Sequence, residues 1–418
     1  MKKFEPIQDL NVNSAVANPS SELLSEMRRI DVSIIIPCLN EIESLAHCLS
    51  QARRALEILA EHHSLTGEIV VADNGSTDGS QALAESMGAH VVAVARRGYG
   101  AALIGGCDGA NGRYLLMGDA DGSYDFTEGV AMIGRLLDGA DLCIGSRFKG
   151  GIAPGAMPWK NRYIGNPALT GTLNLLFGTK VDDAHCGLRA IRKSAFRQCR
   201  LTSTGMEFAS EMIIKASLRQ LRIDETPATL SPDLRNRQPH LRPWRDGWRH
   251  LRYLLMLSPT WVFGVPAMVA MCLATVIFLV AGLYAAGFVS GVTPFGTSWT
   301  ILAGFLMAVG HFAALMSLTT HLYGVQCGYR RFHPLLAWLK DFLTLEHCLA
   351  VGASMMMVAI MAIGAVGIQW GTGGFVALPS VLPLVLALAL GTVGLQTAFG
   401  GFLLAIVGGH EAQFGIIR

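Results

Sequence analysis

The chain has 418 residues, enough for two or three domains, and its 33 basic and 31 acidic residues leave a formal net charge of +2. The charges are unevenly distributed, and their scarcity after residue 260 argues against a wholly soluble protein. The nine cysteines include no Cys-x-x-Cys pair, which argues against a disulfide framework or a zinc site. The charged residues after residue 260 are Arg330, Arg331, Lys340, Asp341, Glu346, Glu411 and Arg418.

Residues 1–30 have no apolar stretch of the kind found in a signal peptide and are predicted to form a loose tail. Short apolar runs then alternate with helical patterns. The apolar runs do not alternate with polar residues, as expected of parallel strands covered on both faces. Residues 31–234 are therefore predicted to form a doubly wound, mostly parallel α/β sheet. The predicted strands cover 32–36, 68–72, 90–95, 113–118 and 141–145, with helices near 43–62, 78–87, 98–110 and 127–137.

A polar loop follows each predicted strand. Ligands of such sheets bind in the crevice at the carboxyl ends of the strands. One polar loop alone is explained by a turn or a helix cap, but five on one edge predict a single site. The loops read PCLNE at 37–41, DNGSTDG at 73–79, RRGYG at 96–100, DAD at 119–121 and SR at 146–147.

Asp119 and Asp121 follow the fourth strand with only Ala120 between them. Two carboxylates this close repel each other unless a cation or a donor-rich ligand compensates them. At a strand end both can hold a divalent ion through hard oxygen ligands, and that ion would neutralise the diphosphate of a sugar nucleotide. A solvated turn is the alternative, because Asp is common in turns. The neighbouring polar loops favour the metal site.

Two familiar phosphate-binding motifs do not occur in the sequence. A Gly-x-Gly-x-x-Gly fingerprint would follow the first strand, where residues 37–40 read PCLN. The later Gly98-x-Gly100 has Leu103 in place of the third glycine. A Gly-x4-Gly-Lys-Ser/Thr loop is also missing from the sequence.

The ordered motifs resemble those of family 2 glycosyltransferases. The resemblance is greatest to the dolichyl-phosphate mannose synthase-like group, which includes bacterial polyprenyl-phosphate glucosyltransferases, and it covers about residues 31–230. Its specificity comes from the order of the motifs, since each one alone is weakly diagnostic. The motifs are IIPCLNE at 35–41, VADNGSTDG at 71–79, RGYGAA at 97–102, GDAD at 118–121 and GSR at 145–147.

The resemblance implies a GT-A fold and inverting transfer of one sugar from a UDP- or GDP-hexose to a polyprenyl phosphate, undecaprenyl or dolichyl. It also implies that Asp119 and the catalytic Asp121 hold Mg²⁺ or Mn²⁺ on the diphosphate. Family members often have Gln two residues after the second Asp, where this chain has Ser123, so the third protein ligand stays open. The residues implied to bind the donor are Pro37, Asn40, Glu41, Asp73, Gly98, Asp119, Ala120 and Asp121.

A lipid phosphate is already an anion, so its attack on the donor needs little or no general base. It needs positive charge to offset its approach to the anionic diphosphate, and arginine is suited to bidentate phosphate contacts. Arg147, at the end of the fifth strand, is the leading candidate and is assigned a catalytic role. Arg162 and Arg189 are further candidates for the acceptor phosphate. A surface ion pair is the alternative for each of the three.

Residues 182–190 (DDAHCGLRA) and 205–208 (GMEF) resemble the acceptor half of these domains. No second His or Cys completes a ligand set around His185, so a polar loop over the pocket is favoured over a metal site. Glu207 is a candidate for contact with the donor sugar hydroxyls. Glu211, one helical turn later, is expected to be structural.

Residues 235–260 are basic and aromatic and stand directly before the first long apolar stretch. This position favours an interfacial amphipathic helix over a nucleic-acid site, with arginines that meet anionic headgroups or the carrier phosphate. The residues concerned are Arg235, Arg237, Arg242, Arg245, Arg249 and Arg252, with Trp244, Trp248 and Tyr253.

Residues 261–418 are predicted to form a transmembrane domain. Each of its four apolar stretches can cross about 30 Å of hydrocarbon. The positive loop between the second and third spans predicts a multi-pass protein of the inner or plasma membrane, with the catalytic domain and the tail 410–418 in the cytoplasm. Intramembrane His311 is expected to form a hydrogen bond within the helix bundle. The spans cover about 261–286, 299–322, 349–368 and 378–407.

Two other functions remain open from the sequence. The acceptor could be a glycolipid or a growing polysaccharide, although the Gln-x-x-Arg-Trp motif usual in processive synthases does not occur. The chain could instead be a lipid translocator or scaffold whose α/β domain senses nucleotide sugars. The sequence also leaves a homo-oligomer open and fixes neither the sugar nor the nucleobase.

Overall fold

The structure is a computed structural model that describes residues 30–235, 243–328, 330 and 343–408, with the side chains of 243–246 left out. Several predictions fall outside the described residues. They concern the tail before residue 30, the tail 410–418, and the residues Arg237, Arg242, Arg331 and Lys340, together with the side chains of Trp244 and Arg245.

The N-terminal part is an α/β domain in which helices flank a single sheet. Short 3₁₀ and π turns at Phe126–Glu128 and Asn161–Gly165 interrupt the alternation. The strands and α-helices are β1 (Val32–Cys38), α1 (Ile42–His63), β2 (Gly67–Asp73), α2 (Ser80–Ser86), β3 (His90–Ala93), α3 (Tyr99–Gly109), β4 (Tyr114–Met117), α4 (Gly129–Leu137), β5 (Leu142–Ser146), α5 (Arg147–Gly150), α6 (Asn166–Phe177), β6 (Arg189–Arg192), α7 (Lys193–Cys199), α8 (Phe208–Leu218) and β7 (Ile223–Pro227).

The strand order in the described part of the chain is β3-β2-β1-β4-β6-β5-β7. β1 pairs in parallel with β2 and β4, β2 with β3, and β5 with β7, whereas β6 runs antiparallel between β4 and β5. The predicted mostly parallel sheet is therefore confirmed. β6 and β7 were not predicted, because their sequences, RAIR and IDETP, contain no apolar run.

The centre of the sheet forms the main core. Ile34, Ile35, Val70, Leu115 and Leu116 are completely inaccessible to solvent. Burial of one such side chain stabilises a fold by about 1.5–3 kcal/mol. The central strands are apolar on both faces because helices cover the sheet on both sides. The rigid sheet holds the loops at its carboxyl edge in fixed relative positions.

The end of β3 and the start of α4 differ from the predicted positions because side chains bond to the backbone there. β3 ends at Ala93 rather than at residue 95, since the Asn74 amide donates to the carbonyls of Val94 (3.0 Å) and Arg96 (2.8 Å). α4 begins two residues late because the Asp125 carboxylate accepts from the Thr127 amide (2.9 Å) and starts a 3₁₀ turn instead.

Four long apolar helices follow the α/β domain, as predicted. They are preceded by α9 (Pro243–Met256), and their mean hydropathies range from 1.8 to 2.4. All four are long and apolar enough to cross a membrane. The first begins with a π turn at Thr260–Gly264. The helices are α10 (Val265–Ala285), α11 (Thr297–Gln326), α12 (Leu345–Thr372) and α13 (Leu382–Val407).

The apolar helices pack as two antiparallel pairs, α10 with α11 and α12 with α13, and α11 joins the pairs by packing on α13. Across that contact, His311 Nδ1 lies 2.9 Å from Gln396 Oε1, which confirms the hydrogen bond predicted within the bundle. Outward-facing Phe305, Ile360 and Phe399 are each about two-thirds exposed. Apolar surface of this extent is typical of a face that contacts lipid.

The α12–α13 pair depends on a glycine contact. A Cβ added at Gly352 would lie 2.6 Å from the Gly394 carbonyl oxygen, so the two backbones touch where neither residue has a side chain. Small residues allow this close approach between apolar helices.

We expect Gly352→Ala to destabilise the detergent-solubilised protein by about 1–3 kcal/mol, because the added methyl group forces the helices apart. Gly364→Ala, in the same helix, is the matched control, since a Cβ there meets nothing within 4 Å and alanine favours helix by about 1 kcal/mol. Thermal unfolding in micelles measures both variants. Equal or greater stability of Gly352→Ala would contradict the proposed packing.

Candidate active site

The polar loops at the carboxyl edge of the sheet bond to one another. The Asn40 side-chain oxygen accepts from the Thr77 amide (2.8 Å), which ties the loop after β1 to the loop after β2. The Asn74 side-chain oxygen accepts from the Gly98 amide (2.7 Å), which ties the second loop to the third. Asn40 has a left-handed φ of 58°, a conformation that Asn tolerates. The structure therefore brings together the first three of the five loops.

Asp119 lies at the centre of this network. The Tyr99 hydroxyl, from the third loop, donates to its Oδ1 (2.8 Å). Its Oδ2 lies where a Cβ of Gly187 would be, so only glycine at 187 leaves room for this carboxylate. Burial, and secondarily the negative charge of Asp121, raise the pKa of Asp119 to about 6.

Asp121 is held from two sides. The Ser123 amide donates to its Oδ1 (3.0 Å), and Arg235 Nη2 donates to its Oδ2 (2.8 Å). The side chains of Asp121 and Arg235 are only 15% and 16% exposed. In the structure, the positive charge beside the acid pair thus comes from a protein side chain.

Arg235 bridges three carboxylates. Besides Asp121 it contacts Glu41 Oε1 (3.2 Å) and Asp233 Oδ2 (3.1 Å). The prediction that residues 235–260 are wholly interfacial is therefore wrong for Arg235. Its guanidinium lies among acidic groups and is not directed at headgroups. The attraction of three nearby carboxylates is the physical reason.

Residues 231–235 form a strap over the acidic loop. The Ser231 amide donates to the Ser123 carbonyl (2.9 Å), and the Leu234 amide donates to the Asp121 carbonyl (2.9 Å). A Cβ at Gly122, which has a φ of +79°, would lie 2.6 Å from the Leu234 side chain. Backbone bonds and packing therefore hold Arg235 against Asp121.

Three predicted donor-binding residues line the first loop and the acidic loop. Pro37, half-buried, is the penultimate residue of β1. Glu41 is buried, and its amide donates to Ser80 Oγ (3.1 Å). The buried Ala120 accepts from Ser44 Oγ (2.6 Å) through its carbonyl, which fixes the acidic loop to α1. These residues surround one crevice at the ends of β1 and β4.

Asp73, predicted to bind the donor, is used within its own loop. Its carboxylate accepts from Gly75 N (2.9 Å), Ser76 N (3.2 Å) and Gln81 Nε2 (2.5 Å). Burial alone would raise the pKa of Asp73, but hydrogen bonds, led by Ser76, lower it overall. Asp73 is only 2% exposed, and its carboxylate maintains the shape of the second loop.

Arg147 lies at the end of β5 in a buried ion pair with Asp183. Nε and Nη2 donate to the two carboxylate oxygens at 2.6 Å and 2.7 Å, and the Arg147 amide adds a third bond (3.1 Å). This ion pair is buried, unlike the surface ion pair that the sequence offered as the alternative. Because β6 separates β5 from β4, Arg147 lies about 10 Å along the sheet edge from the end of β4.

Arg189 and Arg162 have different surroundings. Arg189 is 2% exposed and donates to the carbonyls of Cys186 and Ala209, so it lies beneath the site. Its positive charge acts to lower the pKa of Asp119. Arg162, half-buried in the π turn, stacks 5.5 Å from the Tyr163 ring centroid. The charges of Arg147 and Arg189 both act on His185 and Cys186, whereas Arg162 contacts Tyr163.

The acceptor half carries two further groups singled out in the sequence. Glu211 is fully buried, pairs with Lys215 (2.6 Å) and accepts from the Ser203 amide (2.8 Å), which confirms its structural role. His185 packs edge-on against His250, with ring centroids 4.9 Å apart. Burial, then the neighbouring His250, lower the pKa of His185 to about 3, so it is neutral at physiological pH.

The sequence matches known glycosyltransferases in both of its parts. Residues 33–200 match Glycosyl transferase family 2, and residues 318–408 match the Glycosyltransferase family 2 C-terminal transmembrane region. The chain is 35% identical over 353 residues to the Low-salt glycan biosynthesis hexosyltransferase Agl6 of Haloferax volcanii, covering 83% of this chain and 82% of that protein. The chain belongs to glycosyltransferase family 2.

Other relatives match the catalytic part of this family 2 glycosyltransferase. The polyprenol monophosphomannose synthase of Mycolicibacterium smegmatis is 31% identical over 215 residues, covering 47% of this chain and 76% of that protein. Among solved structures, glucosyl-3-phosphoglycerate synthase of Mycobacterium tuberculosis with Mn²⁺, UDP and glucosyl-3-phosphoglycerate has a TM-score of 0.39 and 19% identity, over 59% of this chain and 85% of that one.

The acid pair of this family 2 glycosyltransferase fits a divalent cation. Asp119 and Asp121 offer hard carboxylate oxygens, and the missing side chain of Gly187 leaves the Asp119 carboxylate room. Within the described residues, no group of three or more His, Cys, Asp or Glu side chains is arranged to hold a metal. A site with two carboxylates, like that of Asp119 and Asp121, suits Mg²⁺ or Mn²⁺, because these ions complete their coordination with substrate phosphates and water.

Several residues of the site were not found from the sequence. Tyr99 and Gly187 lay inside quoted motifs, but their contacts with Asp119 require the folded chain. Asp183 was read only as a neighbour of His185. Arg235 was assigned to the membrane segment because of its basic surroundings, and the nearby Asp233 was the one local sign of another role.

The raised pKa of Asp119 predicts opposite effects of two similar substitutions in metal-free protein. The folded chain keeps the Asp119 proton to a higher pH than the unfolded chain, so this residue's contribution to stability falls as pH rises from about 4 to about 6. Asp119→Asn should therefore raise the melting temperature, and by more at about pH 8 than at about pH 5. Asp121→Asn should lower it, because Arg235 loses a partner.

Thermal unfolding of both variants in chelator-treated detergent solution measures these shifts. A melting temperature that falls to the same extent in both variants at both pH values would contradict the raised pKa of Asp119.

Proposed function

We propose that this family 2 glycosyltransferase moves one hexose from UDP- or GDP-hexose to a polyprenyl phosphate, undecaprenyl or dolichyl, with inversion at the anomeric carbon. The reaction takes place at the cytoplasmic face of the inner or plasma membrane. The product is a lipid-phosphate-linked sugar that donates to cell-envelope glycan assembly on the far side.

One observation carries the proposal. The acid pair lies at the carboxyl edge of the sheet, under a strap at residues 231–235 that precedes α9 and the four apolar helices. A site placed so close in the chain to apolar helices suits an acceptor that is itself in the membrane. The names of two relatives, polyprenol monophosphomannose synthase and dolichyl-phosphate hexose transferase, support the same acceptor class.

The donor binds across the first four loops. Pro37, Asn40, Glu41 and Gly98 surround the base and ribose, and Asp73 maintains the shape of the second loop. Asp119 and Asp121 would hold Mg²⁺ or Mn²⁺, which supplies Lewis-acid stabilisation of the leaving diphosphate when bound. The Ala120 backbone, bonded to Ser44, keeps the two carboxylates on the same side of the strand end.

In the transfer step, a lipid phosphate oxygen forms a bond to the anomeric carbon while the bond from that carbon to the diphosphate oxygen breaks. The electron pair leaves with the nucleoside diphosphate. No proton has to be removed from the phosphate, so the protein contributes positive charge and position rather than a general base.

Arg147 supplies this positive charge. Asp183 uses its Nε and Nη2, and within the described residues Nη1 has no hydrogen-bond partner. The ion pair therefore orients the guanidinium while leaving one nitrogen for a phosphate oxygen. Arg162, half-buried near the exposed Tyr163, is a second candidate for phosphate contact. Arg189, buried beneath the site, acts through Asp119 instead.

Arg235 has a different task. Its guanidinium pairs with Asp121 and is held there by the strap, so it can also meet the anionic diphosphate of the donor.

The orientation rests on positive residues near the membrane ends of the helices. Arg330, at the end of α11, donates to the Leu257 carbonyl (2.6 Å), close to the end of α9. This contact puts the end of the second apolar helix on the same side as the catalytic domain. Both regions are basic, which favours the cytoplasmic side for both.

We expect Asp121→Asn to reduce sugar transfer by at least about a thousandfold, because the substitution removes a carboxylate from the cation that stabilises the leaving group. The assay combines purified protein, polyprenyl phosphate, Mn²⁺ or Mg²⁺ and a panel of nucleotide sugars, with identification of the lipid product by mass. Asp125→Asn is the control, since Asp125 caps a neighbouring 3₁₀ turn. Full activity of Asp121→Asn would refute the metal mechanism.

We expect Arg147→Lys to lower kcat by about 10- to 100-fold while the KM of the nucleotide sugar stays unchanged, because lysine lacks the fork that Asp183 orients. Lys149→Gln, which removes a half-exposed cation from the same short helix, should behave as the unmodified protein. Steady-state kinetics with both substrates varied separate the two parameters. A change confined to the donor KM would place Arg147 on the donor side.

A further inference from the structure

A second polar cavity lies between α9 and the loop that precedes α8. Its volume is about 290 Å³, and both a basic helix and a catalytic-domain loop contribute to its walls. Glu207, the sequence candidate for contact with the donor sugar, lines it, whereas neither residue of the acid pair does. The lining residues are Thr204, Gly205, Glu207, Arg249, Arg252, Tyr253 and Met256.

The cavity is positively charged. Arg249 and Arg252 stand three positions apart on α9 and therefore share one helix face, and both are exposed. The opposite wall contributes the carboxylate of Glu207, whose Oε1 accepts from the Gly205 amide (3.3 Å). Two guanidinium groups against one carboxylate leave a net positive charge, which suits an anion with several oxygen acceptors.

The orientation of α9 is fixed by buried contacts on its other side. His250 Nδ1 lies 3.0 Å from Ser210 Oγ of α8, and the His250 ring packs edge-on against His185. With His250 held inward, Arg249 and Arg252 are directed along the helix flank toward the 204–207 loop. The cavity is thus built by the fold.

The cavity also adjoins the donor site. The Thr204 carbonyl accepts from the Ala101 amide (3.2 Å), and a Cβ at Gly98 would collide with that carbonyl, so the 204–207 loop lies directly against the start of α3. Tyr99, between these contacts, reaches Asp119 through its hydroxyl. Tyr99 therefore links the wall of the cavity to the acid pair.

On its other side the cavity approaches the membrane. Met256, which lines it, is 69% exposed and stands four positions before Thr260, the first residue of the first apolar helix. Trp248, on the same helix, and Trp261, just beyond it, are also exposed. An apolar rim of this kind suits a ligand with a charged head and a hydrocarbon tail.

We infer that this cavity is a docking site for the phosphate monoester of a polyprenyl phosphate, in which Arg249 and Arg252 bind the phosphate oxygens and the isoprenoid tail passes Met256 into the bilayer. This inference rests on the proposed function and places the acceptor before transfer. Arg147 is only 7% exposed whereas Arg249 and Arg252 are exposed, so the pair on α9 meets the incoming phosphate first.

The test uses full-length protein in detergent micelles, without metal or nucleotide sugar, and farnesyl phosphate as the probe. Calorimetric titration should show binding that weakens by about tenfold or more in Arg249→Gln/Arg252→Gln, because two charge-assisted hydrogen bonds are lost. Arg54→Gln, an exposed arginine of α1, is the control and should bind normally. In the transfer assay the double variant should raise the KM of the lipid phosphate and leave that of the nucleotide sugar unchanged.

Competing sources of phosphate are separated by further titrations. Displacement of farnesyl phosphate by inorganic phosphate at equal concentration would overturn a lipid-phosphate site, as would equal binding of uncharged farnesol. If the double variant loses only its adsorption to phosphatidylglycerol vesicles and keeps its affinity for farnesyl phosphate, the arginines bind headgroups and the inference is wrong. Arg249→Lys/Arg252→Lys, which preserves the charges, should bind more weakly than the unmodified protein and more tightly than the glutamine variant.

The inference and the proposed function can fail separately. Arginine-dependent binding of farnesyl phosphate without sugar transfer to any lipid phosphate would support the docking site and overturn the proposed reaction. Transfer to polyprenyl phosphate with an unchanged lipid KM in both double variants would support the reaction and overturn the docking site.

Discussion

Burial of Asp119 beside a second carboxylate, that of Asp121, is the constraint on which the rest of the site depends. The fold places both at the end of β4, and burial keeps water from screening them. Each neighbouring group offsets part of this cost: the Tyr99 hydroxyl bonds one carboxylate, Arg235 pairs with the other, and Arg189 adds positive charge from below. The pair persists as a site that attracts positive charge.

The surrounding loops gain their order from bonds to one another rather than from regular secondary structure. Asn74 shows the principle, since one side chain ends β3 through two carbonyls and fixes the Gly98 amide that opens α3. Glycine completes the arrangement where a side chain would not fit, as at Gly187 beside the Asp119 carboxylate. Hydrogen bonds and glycine contacts together hold the carboxyl edge in a shape ready for a ligand.

The sequence predicted the features that depend on local pattern. Apolar runs located β1 to β5 and the four apolar helices, and the convergence of polar loops followed from parallel strands alone. β6 and β7 lack such runs and owe their place in the sheet to their neighbours. The ion pairs of Arg147 with Asp183 and of Arg235 with Asp121 join residues 36 and 114 positions apart, and no periodicity encodes partners at that distance. Arg235 was misassigned because local composition resembled a membrane boundary.

The antiparallel strand β6 divides the edge of the sheet into two sectors. The strands β1 to β4 carry the loops around the acid pair, whereas β5 and β7 carry Arg147 and the strap that follows, on the far side of β6. The strap crosses this boundary, because its Leu234 amide bonds to the Asp121 carbonyl and its Arg235 pairs with the Asp121 carboxylate. A change in the chain after β7 therefore also alters the surroundings of Asp121, so the two sectors cannot vary independently.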